Sequence, residues 1–171
     1  MSTLARGEIV QRAGRAVVVV AAAYSALTFL LPALGIDPIA RLNVLLASSS
    51  AFVMNAIGAG VVQSQTIITF RGASVIVTNE CNGLGAWLLV AGAMSALPAV
   101  PWHWRLVGLA ASAIAISVVN IARIAVLCYL QAAQPTWFRP VHEQIAPMLV
   151  VLVAFLCVVG WMRGLDYAPQ S

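Results

Sequence analysis

The chain predicts an all-α integral membrane protein, one membrane-embedded domain over residues 1–171, and three observations carry that reading. Hydrophobic residues make up 62% of the 171 and charged residues only 8%, too little polar surface for a soluble globule. The mean hydropathy of +0.97 makes lipid the solvent for most of the chain. The apolar residues also gather into runs close to the roughly 20 residues that cross a hydrocarbon core.

The first span is predicted at 16–34. It is preceded by Arg6, Arg12 and Arg15 and ends at Pro32 and Gly35. The small residues Ala21, Ala22 and Ala23 fall within the apolar run and not after it, which predicts an anchoring helix and not a cleaved signal. The segment 40–62 is long enough to cross, but Asn43, Ser48, Ser49, Ser50 and Asn55 interrupt it. An amphipathic helix lying in the interface tolerates such groups better. Residues 65–79 are rich in β-branched side chains, with a turn signal at Arg71-Gly72. They predict a small β-hairpin leaning on the helices, or completed by a third strand from a bound peptide. The remaining spans are predicted at 84–100, ending at Pro98 and Pro101, then at 106–130 and 146–162.

Orientation decides between alternatives. With 40–62 on the surface, four spans place both termini, the Trp102-His103-Trp104-Arg105 loop and Arg163 on one side, as the positive-inside tendency asks. With 40–62 crossing, Arg105 and Arg163 part from the N-terminus. The first arrangement is preferred: termini in the cytoplasm, 35–83 and 131–145 outside. The nine basic residues are all Arg and are scattered. This pattern sets membrane orientation and argues against a nucleic-acid partner. The three cysteines form no C-x-x-C pair, which excludes a dithiol carrier or zinc ribbon. No pattern calls for a metal or organic cofactor.

Three residues stand out against this apolar background. Cys81, in Asn79-Glu80-Cys81-Asn82-Gly83-Leu84, lies where the β-rich stretch meets an apolar helix. A helix N-terminus favours thiolate, while Glu80 beside it opposes one, and Gly83 lets a substrate approach the backbone. The plain alternative is a small helix-start residue. Cys128 and Cys157 lie inside apolar segments and read as packing. Arg123 sits inside an apolar helix, where a charge costs several kcal/mol and usually faces a partner or a polar cavity. Snorkelling to the headgroups is its plain reading. Asn120, three residues earlier, shares its helix face and could hold the guanidinium. His142 lies in a loop beside Glu143, one turn before the last span, and could serve as acid/base. His103, between two tryptophans, reads as an interface residue. Together a thiol, a guanidinium and an imidazole permit acyl transfer through a thioester.

The order Glu80-Cys81-Asn82-Gly83-Leu84, then Asn120-Ile121-Ala122-Arg123, then His142 resembles the exosortase/archaeosortase family, most of all the short exosortase H type. The resemblance covers roughly residues 40–160. It implies a cysteine transpeptidase of the bacterial inner membrane with its site on the outer face. Its substrate would be a membrane-anchored protein with a C-terminal tail of short motif, transmembrane helix and basic end. The acceptor would be an envelope glycan or lipid. By that match Cys81 is nucleophile, Arg123 stabiliser and His142 acid/base, with Asn120, Asn82 and Gly83 in support. The rival is a non-enzymatic membrane scaffold or assembly factor. An intramembrane aspartyl peptidase needs two buried carboxylates, yet Asp37 and Asp166 lie near span ends. A rhomboid-like serine site is absent as well.

Overall fold

The computed structural model describes residues 3–97 and 100–166. Helix α1, Thr3–Ser25, continues through a π-helical turn, Ala26–Leu30, into a last turn, Leu31–Ala33. Asp37 then starts α2, Pro38–Ala56: its Oδ1 accepts from the Ala40 N–H at 2.8 Å and Pro38 supplies the pre-set φ of a first helical residue. Strands β1 (Val62–Ser64), β2 (Ile67–Phe70) and β3 (Ala73–Ile76) form an antiparallel meander. A 3₁₀ turn, Asn79–Cys81, leads to α3, Leu84–Ala96. Helix α4, Trp102–Ala133, is followed by α5, Pro135–Pro140, a second π turn, Val141–Ile145, and α6, Ala146–Asp166.

Among the described residues, four helices are long and apolar enough to cross a membrane: Gly14–Ala33, Pro38–Ala56, Trp102–Ala133 and Pro135–Gly164. The fold is thus a membrane bundle with a small sheet, as the sequence predicts, but the set of long helices differs from expectation. The span expected at 84–100 stops at Ala96, and Leu97 is extended with ψ 124°. A residue before proline avoids the α region, and Pro98 imposes that here. Arg105 closes the shortened helix by donating to the Leu97 carbonyl at 2.6 Å and the Ser95 carbonyl at 3.4 Å. Helix α3 is therefore about 20 Å long, against about 48 Å for α4.

Two cores are stacked along α4. In the lower one, Val90 and Met94 of α3, Ile116 of α4, and Val150 and Ala154 of α6 pack together. Trp161 of α6 donates to the Trp104 carbonyl at 2.9 Å, and Trp87 to the Leu109 carbonyl at 3.1 Å. Ala16 and Ala96 lie at one end of a shared groove and Tyr24 and Gly85 at the other, so α1 runs antiparallel to α3. Ala16 of α1, Trp161 of α6 and the start of α4 thus lie at the lower end of the bundle.

In the upper core, Leu46, Ala47, Ala51 and Met54 of α2 join Ile68, Phe70, Val75 and Val77, together with Ile124 and Cys128 of α4. Helix α2 accordingly flanks the upper half of α4, while α3 and α6 flank the lower half. Two of the polar residues taken from sequence as a sign of an interfacial helix point inward. Asn43 and Ser50 are buried, Ser50 bonding the Leu46 carbonyl at 2.7 Å, and Asn55 bonds both backbone groups of Val61. Leu45, Phe52 and Val53 face outward, with Arg41 and Asn55 exposed towards the two ends of the helix.

The hairpin over 65–79 turns at Arg71-Gly72, with φ 51° and 82°, the left-handed pair that suits a two-residue hairpin. Its third strand is the chain's own β1, not a bound peptide, and its buried face rests on α2 and α4.

Candidate active site

Cys81 closes the 3₁₀ turn that descends from β3, and its N–H bonds the Thr78 carbonyl at 2.9 Å. It is 4% exposed. The sequence reading put it at a helix N-terminus; instead α3 starts at Leu84 with Gly83 as its cap, so the thiol stands in the turn just before the helix. The cause is Gly83, whose φ of 72° breaks the turn from the helix. A Cβ there would lie 2.9 Å from the Ile116 side chain, so backbone and close packing both demand glycine.

Charge reaches the sulfur from α4. The buried face of that helix recurs at Ile116, Asn120, Arg123, Ile124 and Leu127, a 3.6-residue stripe. It carries Arg123, 8% exposed, to place a guanidinium nitrogen 3.9 Å from the Cys81 sulfur. Arg123 therefore faces the protein, not the headgroups. Asn120, completely buried, does not hold Arg123 as expected; its Nδ2 donates to the Cys81 carbonyl. Among the described residues, Arg123 Nε and Asn120 Oδ1 have no hydrogen-bond partner.

His142 arrives on the π turn. The Ala146 N–H bonds the Val141 carbonyl, five residues back, and Pro147 has no N–H to return to the usual ladder. The ring stacks on Phe138 with centroids 5.5 Å apart, and its Nδ1 lies 4.0 Å from the Cys81 sulfur. Glu143, considered as its neighbour in acid/base work, turns away to an exposed ion pair with Arg139 at 2.9 Å. Glu80 is exposed too. His103, Cys128 and Cys157 stand apart from the cluster. His103 lies beside Trp104 at the lower end of α4, and Cys128 is packed in the upper core. The structure thus brings Cys81, Arg123 and His142 together, with Asn120, Asn82 and Gly83 around them.

A cavity of about 270 Å³ opens beside this cluster. The cysteine turn forms one wall through Asn79, Glu80, Asn82 and Gly83, and Tyr24, Arg123 and Val150 face it from three helices. A larger groove of about 560 Å³ runs between α1 and α3, but its lining of Ala, Val, Leu and Gly residues with Tyr24 offers no reactive group. Chemistry therefore selects the smaller cavity.

One participant escaped the sequence reading. Asn43 of α2 counted there only as a polar interruption, yet it donates to Asn79 Oδ1 at 2.8 Å and accepts from Asn82 Nδ2 at 3.2 Å. An asparagine in an otherwise apolar helix was the available signal. No curated protein and no solved structure matches the chain. The family model described as transmembrane exosortase matches residues 4–162, and with that coverage the chain belongs to the transmembrane exosortase family.

Proposed function

We propose that this protein is a membrane-embedded cysteine transpeptidase. It cleaves the C-terminal sorting signal of an exported, membrane-anchored protein and passes the acyl group to a cell-envelope acceptor. The observation that carries the reading is the placement of one thiol between a buried guanidinium and an imidazole, at 3.9 and 4.0 Å.

His142 takes the Cys81 thiol proton, and the Arg123 charge holds the resulting thiolate. The sulfur attacks the scissile carbonyl, and the oxyanion accepts from Arg123, whose Nε–H is otherwise unpartnered. In a site so poorly hydrated, such a donor counts most. The imidazolium gives its proton to the departing amine, leaving a thioester on Cys81. The acceptor hydroxyl or amine then loses a proton to His142 and displaces the thiol, which restores the enzyme. The cavity walled by the cysteine turn receives the peptide. By the positive-inside tendency, the end of the bundle that carries Arg105 faces the cytoplasm and Cys81 the outer face of a bacterial inner membrane; the Trp161–Trp104 contact that sets the end of α6 beside the start of α4 supports this reading.

The test is co-expression with a protein bearing a motif, an apolar helix and a basic tail, read by mass spectrometry. The expected product lacks the tail and carries the mass of an acceptor. A product with a free carboxyl would mean hydrolysis instead. Normal processing by Cys81→Ala at normal abundance ends the thiol mechanism. An impermeant thiol reagent that labels a cysteine at 105 but not at 142 in intact cells overturns the orientation.

A further inference from the structure

We infer that Asn43 is a positioning residue for the Cys81 nucleophile, acting through the turn on either side of it; the inference rests on the transpeptidase reading for its kinetic test. Asn43 is 5% exposed and comes from α2, an element that carries no reacting group. Its carboxamide touches the turn twice, at Asn79 and at Asn82, one on each side of Cys81.

The direction of these bonds follows from the backbone. The Leu84 N–H can only donate, and it donates to Asn82 Oδ1 at 2.9 Å. Asn82 must therefore offer its NH₂ to Asn43, which accepts through Oδ1 at 3.2 Å. That leaves the Asn43 NH₂ to donate to Asn79 Oδ1 at 2.8 Å. Three amides thus form one polarised chain from the start of α3, through α2, to the first residue of the turn. Asn120 holds the carbonyl of Cys81 itself. A buried amide with no partner costs about 1–3 kcal/mol, and here every polar atom of Asn43 that can bond has one. The sulfur stands near 4 Å from both Arg123 and His142, so slack in this turn lengthens both contacts together.

The inference makes directional predictions. Asn79→Asp keeps the acceptor that Asn43 needs and loses less rate than Asn82→Asp. Asn82→Asp keeps the acceptor for Leu84 but loses the donor to Asn43, and its rate falls. Asn43→Leu removes both bonds and lowers kcat about 10²-fold per folded molecule, the cost of a displacement near 1 Å, with KM unchanged. A purely architectural tether would lower the melting temperature and abundance but leave kcat per folded molecule intact, and that result overturns the inference. Should Asn43→Leu not fold, the Asp pair decides: Asn79→Asp no better than Asn82→Asp also overturns it.

A substrate-free measurement separates this from the transpeptidase reading. In a Cys128→Ala, Cys157→Ala background, Cys81 should react more slowly with iodoacetamide when Asn43 is Leu. An unchanged or raised rate argues against positioning. If the wild-type enzyme leaves tailed substrate uncut, the transpeptidase reading fails while the alkylation rates still judge Asn43.

Discussion

Val90, Met94, Ile116, Val150 and Ala154 in the lower half, and Asn43, Asn82, Asn120 and Arg123 around the Cys81 turn, are all buried in the same bundle by opposite means. In lipid there is no hydrophobic drive between helices, so the lower half is held by fit. Gly108 shows how close that fit is: a Cβ there would come within 2.5 Å of the Trp161 ring. The Cys81 turn, at the edge of the apolar upper core, is held by directional bonds that tolerate no change of donor for acceptor. Loss of fit should therefore cost stability, and loss of a polar group should cost rate.

Six substitutions at five positions test that division, from the largest effect down. Cys81→Ala, Cys81→Ser and His142→Ala are expected to leave tailed substrate uncleaved at normal enzyme abundance, because on the proposed mechanism each removes the nucleophile or the proton carrier. The ratio of full-length to processed substrate measures this. Arg123→Lys keeps the charge but loses the planar two-pronged donor, and the expected loss is about 10²–10³-fold, or roughly 2.7–4 kcal/mol of barrier. A rate close to wild type would make Arg123 a structural charge.

Gly108→Ala belongs to the other half. Overpacking against Trp161 should cost about 1–3 kcal/mol, seen as a lower melting temperature in detergent with the rate per folded molecule unchanged. A selective loss of rate would show that the halves are coupled. The smallest effect is expected at Leu89, whose side chain is 64% exposed on α3. Leu89→Ala should shift stability by no more than about 0.5 kcal/mol and leave processing alone; a large shift would mean that this face is covered.

The cluster was legible where polarity was anomalous. A thiol at a polar boundary, an Arg in an apolar helix and a His before a span need no fold to be noticed, and the structure brings them together. What failed was direction. Sequence spacing put Asn120 on the face of Arg123, but not which neighbour it would bond, and it chose the Cys81 carbonyl. Nor does spacing tell that Asn43 and Ser50 of α2 turn inward. Pro98 marked the end of α3 to within two residues, yet the consequence, an apolar helix of only 13 residues, was not drawn. The third strand was missed because three residues, Val62–Ser64, carry almost no pattern of their own.

Helix α4 ties the two halves to one ruler. Eighteen residues separate Arg105 from Arg123, about 27 Å of helix rise, close to the thickness of a hydrocarbon core. If the Arg105 end of α4 sits at one membrane boundary, as the proposed orientation has it, membrane thickness sets how deep the cysteine turn lies below the other. Longer acyl chains should draw the turn into hydrocarbon and shorter ones should lift it toward water, so activity in vesicles is expected to pass through a maximum as chain length is varied.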